Sequence, residues 1–201
     1  MSIVLFPYSN AYSRVEESRE LCKTICRKLG LRLVEKECVE GNDYETFIKS
    51  WWNHPEDILI WEHDMYPSAR MVKSLLRCYH GICVQQYVIK DANDKRVFAH
   101  RVRELSLMSN DSGYTLERWA DDSDQWVELW GFGLTKISYE ARTLVPWDRW
   151  EPGVWHNLDS RVSEAFYWAG FRAHVHKPVC RHDHKKVGIR SRKSIDIPCN
   201  A

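Results

Sequence analysis

No run of aliphatic or aromatic residues in this chain exceeds a few positions, Ile3–Phe6 and Ile58–Trp61 being typical. A bilayer-spanning helix needs about 20 apolar residues, so none is expected. The opening segment MSIVLFPYSN lacks the basic n-region and small-residue cleavage site of a secretory signal. Low-complexity stretches, internal repeats and Pro- or Ser-rich linkers are missing too, which argues against disorder and against several domains. No C-x-x-C pair occurs among the seven cysteines, so a zinc ribbon or a dithiol redox motif has no support. Together these absences predict one soluble, cytoplasmic domain with reduced thiols. Intracellular disulfides are the alternative for a chain working at high temperature, which three Gln and nine Gly fit weakly.

What is present suits a globular protein: 201 residues, 44% hydrophobic and 28% charged. The net charge of +1 is unevenly spread. Residues 171–201 hold eight Lys/Arg against Asp183 and Asp196, a balance of +6, which leaves −5 on the first 170 residues. A basic tail on a mildly acidic body suits a phosphorylated or polyanionic partner, although a merely solvated tail has the same composition.

The first half alternates strands and helices. Ile3–Phe6 reads as a buried strand ended by Pro7, and Val15, Leu21, Cys22, Ile25, Cys26 and Leu29 as a helix closed by Gly30, with both cysteines in its core face. Leu31–Val34 is a second strand; Asp43 caps a helix whose apolar face is Tyr44, Phe47, Ile48, Trp51 and Trp52; Asp57–Trp61 is a third strand. Ser68 caps a helix with Met71, Val72, Leu75, Leu76 and Tyr79 on one face, stopped by Gly81. This order predicts an α/β fold with a mixed, mostly parallel sheet flanked by helices. Further on, Ile82–Ile89, Val97–Arg103, Trp126–Ile137 (broken by Gly131 and Gly133) and Phe171–Val179 read as strands. Ser106–Asp124 reads as a polar loop that orders on ligand binding, and Asn157 as the cap of a helix with Leu158, Val162, Ala165, Phe166 and Ala169 inward and Gly170 at its end.

In open α/β sheets ligands bind beyond the carboxyl ends of the strands. Pro7-Tyr8-Ser9-Asn10 and Glu62-His63-Asp64 leave two such ends and should line one crevice. A carboxylate emerging there is placed to hold Mg²⁺ or Mn²⁺ against a diphosphate, although a strand end and helix cap would also account for it. Asp159 opens a helix, where the dipole alone favours an acid by about 0.3–1 kcal/mol. His174, His176, Cys180, His182 and His184 invite a zinc reading, but no second cysteine pair lies nearby in sequence, so that reading is disfavoured.

Four segments, in order, resemble nucleotide-sugar glycosyltransferases of the GT-A fold. They are Ile3–Asn10 (first strand and nucleotide turn), Ile58–Ser68 (strand, DxD-like turn and Pro), Gly131–Ala141 (Gly-rich strand and helix start), and Leu158–Val162 with Ala169–Val175 and Pro178. The likeness spans roughly residues 3–184; each motif alone is weak, and their order and spacing carry it. It implies a single GT-A domain with a nucleotide-binding half (1–104), an acceptor and catalytic half (125–185) and a basic tail (186–201). It implies a metal-dependent inverting glycosyltransferase moving a sugar from a nucleotide-diphosphate donor to a sugar, glycoprotein or glycolipid hydroxyl. Asp159 would be the catalytic base. Pro7, Tyr8, Ser9, Asn10, Glu62 and His63 would bind the nucleotide, and Asp64, Glu62, His182 and His184 a Mn²⁺ or Mg²⁺ ion. Lys185, Lys186 and Arg190 would neutralise the diphosphate, and Trp150 and Trp155, with Trp147, would form the acceptor platform.

Glu62 departs from the family's first Asp, Leu158 from the Glu preceding its catalytic Asp, and no Asp cluster follows the second strand to read the base. Should Asp159 not serve, Asp148 and Glu151 are the next carboxylates. The rival reading is a non-catalytic phosphate- or nucleic-acid-binding protein on a degenerate fold, but no nucleic-acid-recognition signature is present. A nucleotidyltransferase would need a Gly-rich, Arg-containing loop after the first strand, which is missing.

Overall fold

Ile3, Val4, Leu5 and Phe6 are all fully buried, as are Ile58, Leu59, Ile60 and Trp61. Successive strand residues point to opposite faces, so two continuous apolar runs imply a sheet covered on both sides. The computed structural model describes residues 2–12, 14–40, 42–90, 95–106, 114–147 and 158–183 and has that architecture. In chain order the elements are β1 (Ser2–Tyr8), α1 (Val15–Leu29), β2 (Arg32–Glu37), α2 (Asp43–Trp51), β3 (Asp57–Trp61), β4 (Met65–Tyr66), α3 (Ala69–Arg77) and β5 (Ile82–Lys90). There follow β6 (Arg96–Phe98), β7 (Arg101–Ser106), β8 (Tyr114–Trp119), β9 (Trp126–Val127), β10 (Leu134–Ile137), α4 (Tyr139–Leu144), α5 (Leu158–Trp168) and β11 (Ala173–His182).

The main sheet runs β2-β1-β3-β10-β5-β11-β4. β1 is parallel to β2 and β3. β10 is antiparallel to both β3 and β5, and β11 is parallel to β5. Strands β1, β3, β5 and β11 therefore share one direction, and their carboxyl ends share one edge. One core holds Ile3, Leu5, Ile58 and Ile60 with Phe47, Trp52, Val162 and Phe166 of α2 and α5. The opposite core holds Val4, Phe6, Leu59 and Trp61 with Cys22, Ile25, Val72 and Leu75 of α1 and α3.

Several sequence expectations need correction. The expected helix cap Asp43 faces backwards, its Oδ2 accepting from the amides of Val39 (2.8 Å) and Glu40 (2.9 Å), and so ties the preceding turn instead. Part of the expected loop 106–124 is strand: β8 pairs with β7 along its whole length. The bidentate Arg118–Asp124 pair, 2.7 and 2.8 Å, fixes the following turn. The hairpin's polar composition reflects its place on the rim, where Arg101 and Arg103 pair with Glu117 instead of packing apolar groups. Trp147, expected on an acceptor platform, is core: it is 6% exposed and packs edge-on against Trp52 at 5.0 Å. The expected strand Val97–Arg103 is two strands; α3 ends at Arg77, so Tyr79, expected on its inward face, lies beyond the helix and is exposed; and Asn157 lies outside the described residues.

Arg142 of α4 is 1% exposed and closes the end of α2. Its guanidinium donates to the carbonyls of Trp51 (2.9 Å) and His54 (3.0 Å) and, more closely, of Trp52 and Glu56. A helix leaves its last carbonyls without partners in the helix, and here a fork of buried N–H groups supplies them. Burial lowers the Arg142 pKa to about 10, so it remains charged at neutral pH. Arg142→Met should strand these acceptors and cost about 3 kcal/mol. Scanning calorimetry should then show a melting point lower by roughly 6–12 °C. Arg142→Lys should recover little of this loss, because an ammonium cannot span the same fork.

Candidate functional site

At the carboxyl edge of β3, β5 and β11 lies a cleft of about 690 Å³. Glu62 and Asp64 enter it from the turn after β3, Asp159 from the first turn of α5, and His182 and Asp183 from the end of β11. Arg96, Arg101 and Trp119 line the other side, carried by β6 and the β7–β8 hairpin. The floor includes Tyr87 at the end of β5 and Gly131 in the turn before β10. A Cβ on Gly131 would overlap the Tyr87 hydroxyl and sit 3.3 Å from Asp159 Oδ2; at Gly133 it would overlap the Tyr87 ring. Only glycine lets this turn pass over the tyrosine, which is the physical content of the Gly-x-Gly pair.

The site is a concentration of negative charge. The Glu62 amide donates to the Gly133 carbonyl at 2.8 Å, fixing the turn, and the Tyr44 hydroxyl donates to Glu62 Oε1 at 2.6 Å. Burial, then the nearby charges of Asp64 and Asp159, push the Glu62 carboxyl up to about 8; the Tyr44 bond and His182 only partly oppose this. Burial also raises Asp159, against the hydrogen bond from the Ser160 amide (2.8 Å) and the charge of Arg101. Asp64 is 5% exposed and meets His182, whose Nε2 lies 3.1 Å from Asp64 Oδ2. Burial and the same carboxylates raise the Tyr12, Tyr44 and Tyr87 hydroxyls, so these remain protonated donors at neutral pH. Repelling carboxylates and an imidazole form a hard, oxygen-rich donor set that fits Mg²⁺ or Mn²⁺.

The structure thus brings Glu62, Asp64, Asp159 and His182 into one cleft. Pro7, Tyr8, Ser9 and Asn10 lie at the same edge, where β1 ends, but they do not line the cleft. The Tyr8 ring lies under Arg19 at 4.8 Å, and Asn10 Nδ2 donates to Glu37 Oε1 at 2.5 Å. His63 does not line the cleft and packs against Tyr12, the rings tilted at 51° with centroids 4.7 Å apart. His184, Lys185, Lys186, Arg190, Trp150, Trp155, Asp148 and Glu151 lie outside the described residues. The sequence reading missed Tyr12, Tyr44, Tyr87, Arg96, Arg101 and Trp119. Tyr44 and Tyr87 read as apolar positions of a helix and a strand, Tyr12 carried no signal, and the hairpin residues belonged to a segment read partly as loop.

No protein-family model matches the chain, and no curated protein is similar to it in sequence. Solved structures are similar in fold. A197 from STIV matches with TM-score 0.52 and 12% identity over 87% of this chain and 82% of that one. A proposed glucose-1-phosphate thymidylyltransferase from Bacillus anthracis, in complex with a sucrose, matches with TM-score 0.51 and 6% identity over 90% and 88%. A glycosyltransferase involved in glycosylation of the major capsid of PBCV-1 superimposes at TM-score 0.41 with 13% identity, too loosely to define a fold. The chain therefore has a mixed α/β fold, a mostly parallel sheet between helices, shared with A197 and with the proposed thymidylyltransferase. No helix among the described residues is long and apolar enough to cross a membrane.

The raised Glu62 proton affinity has a signed consequence. The unfolded chain loses this proton near pH 4.5, the folded one near 8, so the contribution to stability falls as pH rises between them. In chelator-containing buffer, Glu62→Gln should remove this component, gaining roughly 4–5 kcal/mol over wild type at pH 8.5 and nothing at pH 4. Paired denaturant titrations at the two pH values measure the difference.

Proposed function

We propose that the chain is a nucleotide-sugar transferase, specifically a metal-dependent inverting glycosyltransferase. The observation that carries the reading is the convergence of Glu62, Asp64, Asp159 and His182 in one cleft at the carboxyl edge of the sheet. The shared fold with a sugar-nucleotide enzyme supports the substrate class. Glu62, Asp64 and His182 would hold the divalent cation, which when bound offsets charge on the donor diphosphate.

The chain's own residues account for the remaining roles. Asp159, with its proton affinity raised by burial, accepts the proton of an acceptor hydroxyl. That oxygen bonds to the anomeric carbon as the bond from this carbon to the diphosphate oxygen breaks on the opposite face. The nucleoside diphosphate leaves with the electron pair, and the configuration inverts. Arg96 and Arg101 supply positive charge across the cleft, and Trp119, which has Arg101 stacked on it at 4.9 Å, offers an indole face to a sugar or base. The nucleotide-binding turn Pro7–Asn10 and the metal ligand His184 remain part of this reading, with Trp150 and Trp155 on the acceptor side.

The test is a thermal-shift screen of nucleoside diphosphates with and without Mn²⁺. A shift that needs both ligands is expected, and Asp64→Ala should abolish it while the protein remains folded. Affinity for polyanions that falls steeply with salt and ignores Mn²⁺ would instead favour the non-catalytic binding protein. Asp159→Asn keeps the shape but cannot take a proton. Donor binding should persist while transfer drops about 10²- to 10⁴-fold, and transfer at the wild-type rate would refute the assignment.

A further inference from the structure

At the amino ends of β5 and β11, the sheet edge opposite the cleft, two cysteines and two histidines meet. Cys78 follows α3, Cys83 is on β5, and His174 and His176 share one face of β11. One ligand atom from each lies within 4.8 Å of all the others. His174 Nδ1 is 3.7 Å from Cys78 Sγ and 3.3 Å from His176 Nε2. In a tetrahedral zinc site, bonds of about 2.0–2.3 Å put ligand atoms about 3.3–3.8 Å apart, so the most widely spaced of the four need to close by about 1.0–1.5 Å at most.

From this geometry we infer that Cys78, Cys83, His174 and His176 bind a structural zinc ion. Two thiolates and two imidazoles are the set that selects zinc, and four protein ligands close the coordination sphere, as structural sites do. The surroundings fit. His176 presents Nε2 to the cluster while its Nδ1 lies 3.0 Å from Ser74 Oγ, the outer hydrogen bond that orients a ligating imidazole. The buried Lys136 ammonium donates to the Cys78 carbonyl, fixing that ligand's backbone and placing positive charge beside the thiolates. A groove of about 530 Å³, lined by Ser74, Cys78, His174 and His176 among others, gives the ion an entry path. Binding releases the two thiol protons and forms two zinc–sulfur bonds without any redox step. The ligands lie almost a hundred residues apart in sequence, which is why the local run of His174, His176, Cys180, His182 and His184 lacked a second cysteine pair: α3 and β5 supply it, while His182 faces Asp64.

The test uses the full-length, tag-free chain purified under reducing conditions without chelator. Stoichiometric zinc by elemental mass spectrometry is expected. Replacement by Co²⁺ should give intense tetrahedral d–d absorption and a thiolate-to-cobalt charge-transfer band. Cys83→Ser should weaken that band and His176→Gln should lower zinc affinity. Exposed Ser74 can be changed without threatening the fold, and Ser74→Ala should lower zinc affinity about tenfold. Asp64→Ala should leave the cobalt spectrum unchanged, so this inference and the transferase reading can fail separately. Absence of stoichiometric metal, a cobalt spectrum without the charge-transfer band, metal retained by a Cys78→Ser/His176→Gln double variant, or a Cys78–Cys83 disulfide persisting in reduced, zinc-supplied protein would each overturn it.

Discussion

Carboxyl groups confined to one low-dielectric wall repel each other, and much of the cleft is organised around that repulsion. Glu62, Asp64 and Asp159 come from two distant parts of the chain and converge because β3 ends and α5 begins at the same sheet edge. Folding alone does not cancel their charge: the Tyr44 hydroxyl, His182 and the Ser160 amide each relieve part of it, yet Glu62 stays strongly raised. A protein selected only for stability would replace at least one of these groups. Their retention is understandable if a cation and a phosphorylated ligand complete the site.

The first half of the fold was legible because its elements bury themselves through simple periodicities. Two-sided burial turned β1 and β3 into unbroken apolar runs, and α1 showed its inward stripe and its left-handed closing residue Gly30 at φ 65°. The second half was harder, because its strands are short or polar and are held by long-range pairing. β9 has two residues, and β8 alternates rim charges with Trp119. Asp43 shows a local limit: an acid at a helix start can serve the turn before it as well as the helix after it.

For the site, carboxylates were readable because an acid leaving a buried strand has few structural reasons to be there. Tyr44 and Tyr87 were not, since a tyrosine in an apolar stripe looks like core until its hydroxyl is seen among carboxylates. Trp147 failed in the opposite direction, its indole edge being claimed by Trp52 from far away in sequence. The Cys/His cluster has the same character: each pair is unremarkable alone, and only the parallel pairing of β5 with β11 gives it meaning.

The end of β11 is fastened as well as placed. Asp183 Oδ2 accepts from Arg14 at 2.9 Å and Arg181 at 3.3 Å, and its amide donates to the Asp64 carbonyl at 2.9 Å. Asp183 thus braces three segments, the residue before α1, the end of β11 and the turn after β3. The position of Asp64 therefore depends on ion pairs to arginines outside the cleft, and salt that screens those exposed pairs acts on the site from its rim.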